Sequence, residues 1–325
     1  MRKLVLATRG SKLALAQAEM VAALLREAHT GLDVELRIIQ TKGDLVLDRA
    51  LSRIGDKGLF VKEIEQALLD RQADLAVHSC KDLPSALPEQ LTLAAFPRRA
   101  DPRDVLISRH NLRLRELPKG AIVGTSSLRR ACQVRHLRPD VQVIDLRGNV
   151  DTRLRKAQTE AYDAIILAAA GLERLDLSAV VTEIFTPDLL LPAVAQGALA
   201  LECRADDAEV RQLLAPLNDS ATEIAVRAER ALLARLEGGC QVPIAAHATI
   251  AYGQVRLHGL IGTPDGALVV RGERAGALDD PATVGVTLAE ALLADGGAAI
   301  LERLSRAVPA VEPPRTYHGF DTDCD

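Results

Sequence analysis

The 325-residue chain is longer than one hydrophobic core usually organises, and its segments sort into three units. With 48% hydrophobic and 26% charged residues, and no uninterrupted apolar stretch of bilayer length, it reads as a soluble globular protein. The formal net charge of −4 is uneven: residues 121–155 hold seven arginines against three aspartates, and residues from 200 onward hold eleven arginines against nineteen acids. A basic central region joined to an acidic carboxy-terminal part suggests anion binding, while 2% aromatic residues and no tryptophan speak against stacking on single-stranded nucleic acid.

In chain order, KLVLA (3–7) reads as a strand, SKLALAQAEMVAALLREA (11–28) as a helix, DVELRIIQ (33–40) as a strand, FVKEIEQALLDR (60–71) as a helix and DLAVHS (74–79) as a strand. Arg9 and Lys12 break the aliphatic amino terminus before a secretory hydrophobic region can form, so a cytoplasmic location is expected. Charge, proline and loss of periodicity at RRADPRD (98–104) mark a crossing into a second α/β series. That series runs through AIVGT, the helix opened by SSLRRACQVRHL, VQVIDL, the helix NVDTRLRKAQ and YDAIILAAAGL. The prolines and glycine of FTPDLLLPAVAQGALALE (185–202) suit a return crossing, and a long amphipathic helix from about residue 218, capped by Gly238, opens a small α+β unit. The expected organisation is residues 1–97 completed by about 196–216, residues 98–195, residues 217–308, and a loose tail over 309–325.

Three strand-to-helix turns share one pattern. TRGSK (8–12) offers Ser11 as cap with Arg9 and Lys12 beside it. GTSSLRR (124–130) offers Ser126 or Ser127, with Arg129 and Arg130 in the first helical turn, and RGNVDTR (147–153) places Arg147 before its turn and Arg153 after it. Arginine at a helix amino terminus opposes the macrodipole unless an anion lies between them, so the repetition predicts a ligand with several carboxylates or phosphates, held bidentately. RIGDKGLF (53–60), with Arg53 and Lys57, reads either as a basic lid over the same cleft or as an ordinary surface loop.

HSCKDLP (78–84) carries His78, Lys81 and Asp82 off the end of a strand, where ligands of open α/β sheets collect, so Asp82 stands where a catalytic carboxylate can act or where a surface ion pair can form. LEGGCQVPIA (236–245) places Cys240 between two glycines and Pro243, which either presents the thiol or fills a turn with a small residue. Cys80, next to Lys81, competes with it as a nucleophile. The five cysteines are odd in number and scattered without CxxC or Cys/His spacing, so neither disulfides nor a metal site is indicated.

Taken in order, ATRGSKLALAQA, TKGD, DKGLFVKEIE, AVHSCKDLP, GTSSLRRACQ, RGNVDTRLRK, YDAIILAAAGL and LEGGCQVPIA resemble the porphobilinogen deaminase (hydroxymethylbilane synthase) family from residue 3 to about residue 250. The resemblance implies an α/β fold: two periplasmic-binding-protein-like lobes plus a small α+β carboxy-terminal domain carrying the cofactor cysteine. It implies a transferase of tetrapyrrole and heme biosynthesis that joins four porphobilinogen molecules head to tail on a dipyrromethane primer, releases ammonia at each step and frees hydroxymethylbilane by hydrolysis. By the same resemblance Cys240 holds the dipyrromethane through a thioether and Asp82 is the catalytic carboxylate. Cofactor contacts are expected from Asp44, Ser79, Lys81, Asp82, Thr125, Ser127, Arg129, Arg130, Arg147 and Gly148, and substrate contacts from Arg9, Ser11, Gln17, Phe60, Arg153, Arg174 and Gln196. Porphobilinogen is then the partner, with no nucleic acid, no membrane and a monomeric state expected.

Departures from the family pattern are Asp56 for glycine, Arg53 where lysine is common, and Ala195 for the usual glycine, which is expected to stiffen a crossing between domains. Two other readings share the anion sites. A non-catalytic bilobal binder of a polyanionic small molecule needs neither Cys240 nor Asp82, and a regulator of nucleic-acid phosphates is opposed by the acidic balance and scarce aromatics.

Overall fold

A computed structural model of the chain describes residues 3–45, 61–236 and 242–307. The first lobe is built on β1 (Lys3–Thr8), β2 (Asp33–Ile38), β3 (Leu75–Ser79), β4 (Leu91–Ala95) and β10 (Leu199–Arg204), in the order β2-β1-β3-β10-β4. β1 runs parallel to β2 and β3, and β10 enters antiparallel between β3 and β4. The second lobe uses β5 (Asp104–Ser108), β6 (Ile122–Gly124), β7 (Gln142–Ile144), β8 (Ala164–Ala168) and β9 (Glu183–Ile184), in the order β7-β6-β8-β5-β9. There β6 is parallel to β7 and β8, and β5 is antiparallel to β8. The two lobes thus repeat one plan, and in each the antiparallel strand is the one that has just arrived from the other lobe.

Central strands such as AIILA and LALECR are almost wholly buried because helices cover both sheet faces. Helix Lys12–Ala28 shows the local cause. Ala18, Val21, Ala22 and Leu25 recur at the spacing of one helical face and pack onto Leu4, Leu6, Leu75 and Leu201.

In the third domain, helices Ser220–Arg235 and Pro281–Leu292 cover a three-stranded antiparallel sheet of β11 (Ile244–Ala251), β12 (Gln254–Gly262) and β13 (Val269–Ala277). The helices touch at Gly285, where a Cβ would lie 2.2 Å from the Ala228 carbonyl oxygen. The run Pro281–Arg306, 26 residues, is by length and composition apolar enough to cross a bilayer, although Glu290 and Asp295 interrupt it. Its apolarity has a local use: Val284, Leu288, Leu292 and Ile300 fill the domain core, and the run kinks at Gly296, whose φ is 114°.

One buried carboxylate ties this domain to both crossings. Glu229, fully buried on helix Ser220–Arg235, accepts two hydrogen bonds from Arg99 at 2.6 and 3.1 Å, one from the Ala195 N–H at 2.5 Å and one from the Ala248 N–H at 2.8 Å. Arg99 lies in the first crossing and Ala195 in the second. Ala195 adopts a left-handed conformation with φ of 57°, which explains why glycine suits the position. Two residues on, Gly197 has φ of 86°, and a Cβ there would lie 2.5 Å from the Ala100 carbonyl oxygen, so the crossings run in contact.

Candidate active site

A cleft of about 1170 Å³ separates the lobes. On the first lobe, the end of β1 feeds the turn of Arg9 and Ser11, and the Ser11 hydroxyl caps the following helix by accepting from the Ala14 N–H at 3.3 Å. Gln17, one turn further, donates to the Ser79 hydroxyl at 2.9 Å. The single turn Cys80–Asp82 at the end of β3 then turns Lys81 and Asp82 into the cleft, while His78 points back into the sheet against buried Glu202 at 2.9 Å.

The second lobe supplies two helix amino termini. Ser127 caps helix Leu128–Leu137, accepting from the Arg130 N–H at 3.4 Å, and the Thr125 hydroxyl accepts from the Ser127 N–H at 3.2 Å. Ser126, the other cap candidate, instead clasps the Leu146 backbone through its hydroxyl at 2.7 and 3.1 Å. Asn149 caps helix Val150–Ala157, and Gly148 before it takes φ of 113°.

Among the described residues the cleft is lined by eight basic side chains against two acids, Asp82 and Asp151. Lys12 reaches across it to Asp151 at 2.8 Å, joining the lobes at the rim. Arg130 is also compensated: fully buried Asp104 accepts from Arg130 at 2.7 and 2.9 Å, from Arg129 at 2.6 Å and from Gln196 at 2.9 Å. The two guanidinium groups hold the Asp104 carboxyl well below the usual carboxylate range despite its burial.

Among the described residues, Arg153, Arg174 and Lys81 have no such carboxylate. Arg153 donates to the Gly148 carbonyl at 2.8 Å, and loss of hydration, with Arg130 and Arg147 nearby, lowers its pKa to about 10 against the pull of Asp82. Arg174 donates to the Gly197 carbonyl at 2.7 Å, while its buried Nε has no partner; burial lowers its pKa too. Lys81 is exposed to the cleft, yet its ammonium lies deep between the lobes, 3.5 Å from the Gln196 amide oxygen. Lost hydration outweighs the attraction of Asp82 and lowers its pKa to about 8.

The structure therefore gathers Arg9, Ser11, Gln17, Ser79, Lys81, Asp82, Arg130, Arg147, Gly148, Arg153 and Arg174 around one space. Thr125, Ser127, Arg129 and Gln196 stand behind its wall, bonded to their protein neighbours. The anion expected in front of Arg129 is Asp104 itself, which sequence reasoning passed over inside RRADPRD. Phe60, Cys240 and the side chain of Asp44 lie outside the described residues. Cys80 is sealed in the core and burial pushes its thiol up to about 12; Cys132 and Cys203 are also buried and pushed up to about 11. None of these three is a nucleophile at neutral pH.

Fold and site define a three-domain α/β protein with a strongly basic cleft between two lobes and a carboxylate inside it. The chain belongs to the porphobilinogen deaminase family. Residues 4–212 match the model described as porphobilinogen deaminase, dipyromethane cofactor binding domain, and residues 223–294 match the C-terminal domain of the same family. A porphobilinogen deaminase of Roseiflexus sp. (strain RS-1) is 57% identical over 298 residues, covering 92% of this chain and 98% of that one. One from Halalkalibacterium halodurans is 52% identical over 310 residues, covering 95% and 99%. A solved YaeC-family lipoprotein from Enterococcus faecalis aligns with 67% of this chain and 91% of its own at 14% identity and a TM-score of 0.41, too loosely to bear on the fold.

Proposed function

We propose that the chain is a transferase that deaminates porphobilinogen and condenses four molecules head to tail into hydroxymethylbilane on a dipyrromethane held by Cys240. The observation that carries this reading is Asp82, a carboxylate set in the cleft beside Lys81, Arg153 and Arg174, which make no ion pair with a carboxylate among the described residues. The cleft suits a cofactor and substrate whose rings bear acetate and propionate groups. Arg147, Arg153 and Arg174 can bind those carboxylates, and the buried Arg174 Nε has no hydrogen-bond acceptor among the described residues. When bound, the dipyrromethane supplies the pyrrole carbon that the next ring joins.

Asp82 acts on the substrate in two steps. Its charge stabilises the cation that develops as ammonia leaves, and its oxygen then accepts the proton released when the new ring regains aromaticity. Lys81 and the arginines hold the carboxylates in register. Cys80, Cys132 and Cys203 are sealed in the core, and of the remaining Cys240 and Cys324 the family resemblance of LEGGCQVPIA selects Cys240. A monomeric, cytoplasmic protein belongs to the same proposal.

Intact mass of the purified protein should exceed the sequence mass by two linked pyrrole units, on a peptide containing Cys240; an adduct on Cys80 instead overturns the attachment. Asp82→Asn carrying an assembled cofactor should lose about two to four orders of magnitude in turnover with a smaller change in binding. Near-normal ammonia release by that holoprotein would remove Asp82 from the chemistry.

A further inference from the structure

A second cavity, of about 240 Å³, lies away from the cleft, between the third-domain sheet and the segment 187–191 of the second crossing. His247 on β11 and His258 on β12 both line it and are direct cross-strand partners. Such partners share a sheet face with Cβ atoms about 4.5–5.5 Å apart, close enough for one ion to touch both rings. Each Nδ1 lies beside a carboxylate, His247 at 3.7 Å from Glu229 and His258 at 3.5 Å from Glu273. A carboxylate behind one ring nitrogen favours the proton there and leaves the other nitrogen's lone pair for a metal.

His247 is 9% exposed, and its Nδ1 is turned to the Glu229 carboxylate, so Nε2, on the far side of the ring, is the nitrogen a metal can use. Arg271 and Asp188 also border the cavity, and the Arg271 guanidinium is held by the Asp188 carbonyl oxygen at 2.6 Å and the Gln133 amide oxygen at 3.0 Å. We propose that this cavity binds one divalent transition-metal ion through His247 and His258, with water completing the shell. No third protein ligand clusters there among the described residues, so the site is a labile one rather than a structural zinc centre. The 11-residue separation of the two histidines is invisible as a motif until the hairpin register pairs them.

The test is a Zn²⁺ titration of chelator-stripped full-length holoprotein, followed by histidine-ring NMR and calorimetry. One equivalent should bind, shifting the His247 and His258 rings together. His258→Gln, outside the catalytic cleft, should weaken binding at least about ten-fold without changing bilane formation by the metal-free enzyme or its Tm. Zn²⁺ affinity unchanged in His258→Gln, or rings that answer inorganic phosphate at matched ionic strength and ignore Zn²⁺, would overturn the proposal, the latter marking an oxyanion pocket.

Discussion

Two neighbouring cleft residues, Lys81 and Asp82, are held to different tasks by their surroundings. Lys81 leaves its charged form near pH 8 because its ammonium is poorly hydrated and shares the cleft with arginines. The cleft therefore keeps this positive charge below about pH 8 and loses it as pH rises through that value. KM for porphobilinogen, measured between about pH 7 and pH 9.5, should rise across the upper half of the window in the native enzyme. Lys81→Arg, charged throughout, should lose that limb. A native KM flat over the same range would place Lys81 outside anion binding. Arg129 teaches the opposite lesson, because a charge at a helix amino terminus can be answered from within. Asp104 lies 25 residues away in sequence and meets it only after the second sheet forms.

At the scale of elements, the crossings carry the most information per residue. Ala195 sits at φ of 57°, where an alanine costs about 1–2 kcal/mol relative to right-handed backbone, offset by the greater unfolded-state freedom of glycine. Ala195→Gly should therefore leave stability unchanged or raise it by up to about 1 kcal/mol, read from the urea midpoint at constant m. A loss larger than that would mean the methyl packs usefully against its neighbours. The turns around the cleft were legible because their signals are local: Ser11 lies beside the helix it caps and Ser127 was one of two cap candidates, while the Asn149 cap went unremarked. The alternating strands and helices were legible for the same reason. Long-range choices were not, since nothing near Ser126 shows that its hydroxyl belongs to Leu146, and nothing in AVRAERALL shows that Glu229 meets Arg99, 130 residues away.

At the scale of the whole molecule, Glu229 joins three domains through one side chain. Arg99 and the surrounding donors lower its pKa to about 2 from the ordinary 4.5, against the effect of burial. A depressed carboxylate contributes its full stability above the unfolded pKa and loses it as pH falls toward the folded one. The protein should accordingly lose on the order of 3 kcal/mol from this group between about pH 4.5 and pH 2. Glu229→Gln should be less stable at neutral pH by a similar amount and show a shallower acid slope in urea titrations. An unaltered slope would assign the acid sensitivity elsewhere. The exchange of antiparallel strands between the lobes has its own outcome during translation. Strands β5 to β9 form one uninterrupted stretch, whereas the first sheet waits for β10 at residues 199–204. As the chain leaves the ribosome, the lobe encoded second is the first able to close its sheet. The amino-terminal lobe must stay incomplete while its neighbour folds, reversing the usual amino-to-carboxyl order of domain maturation.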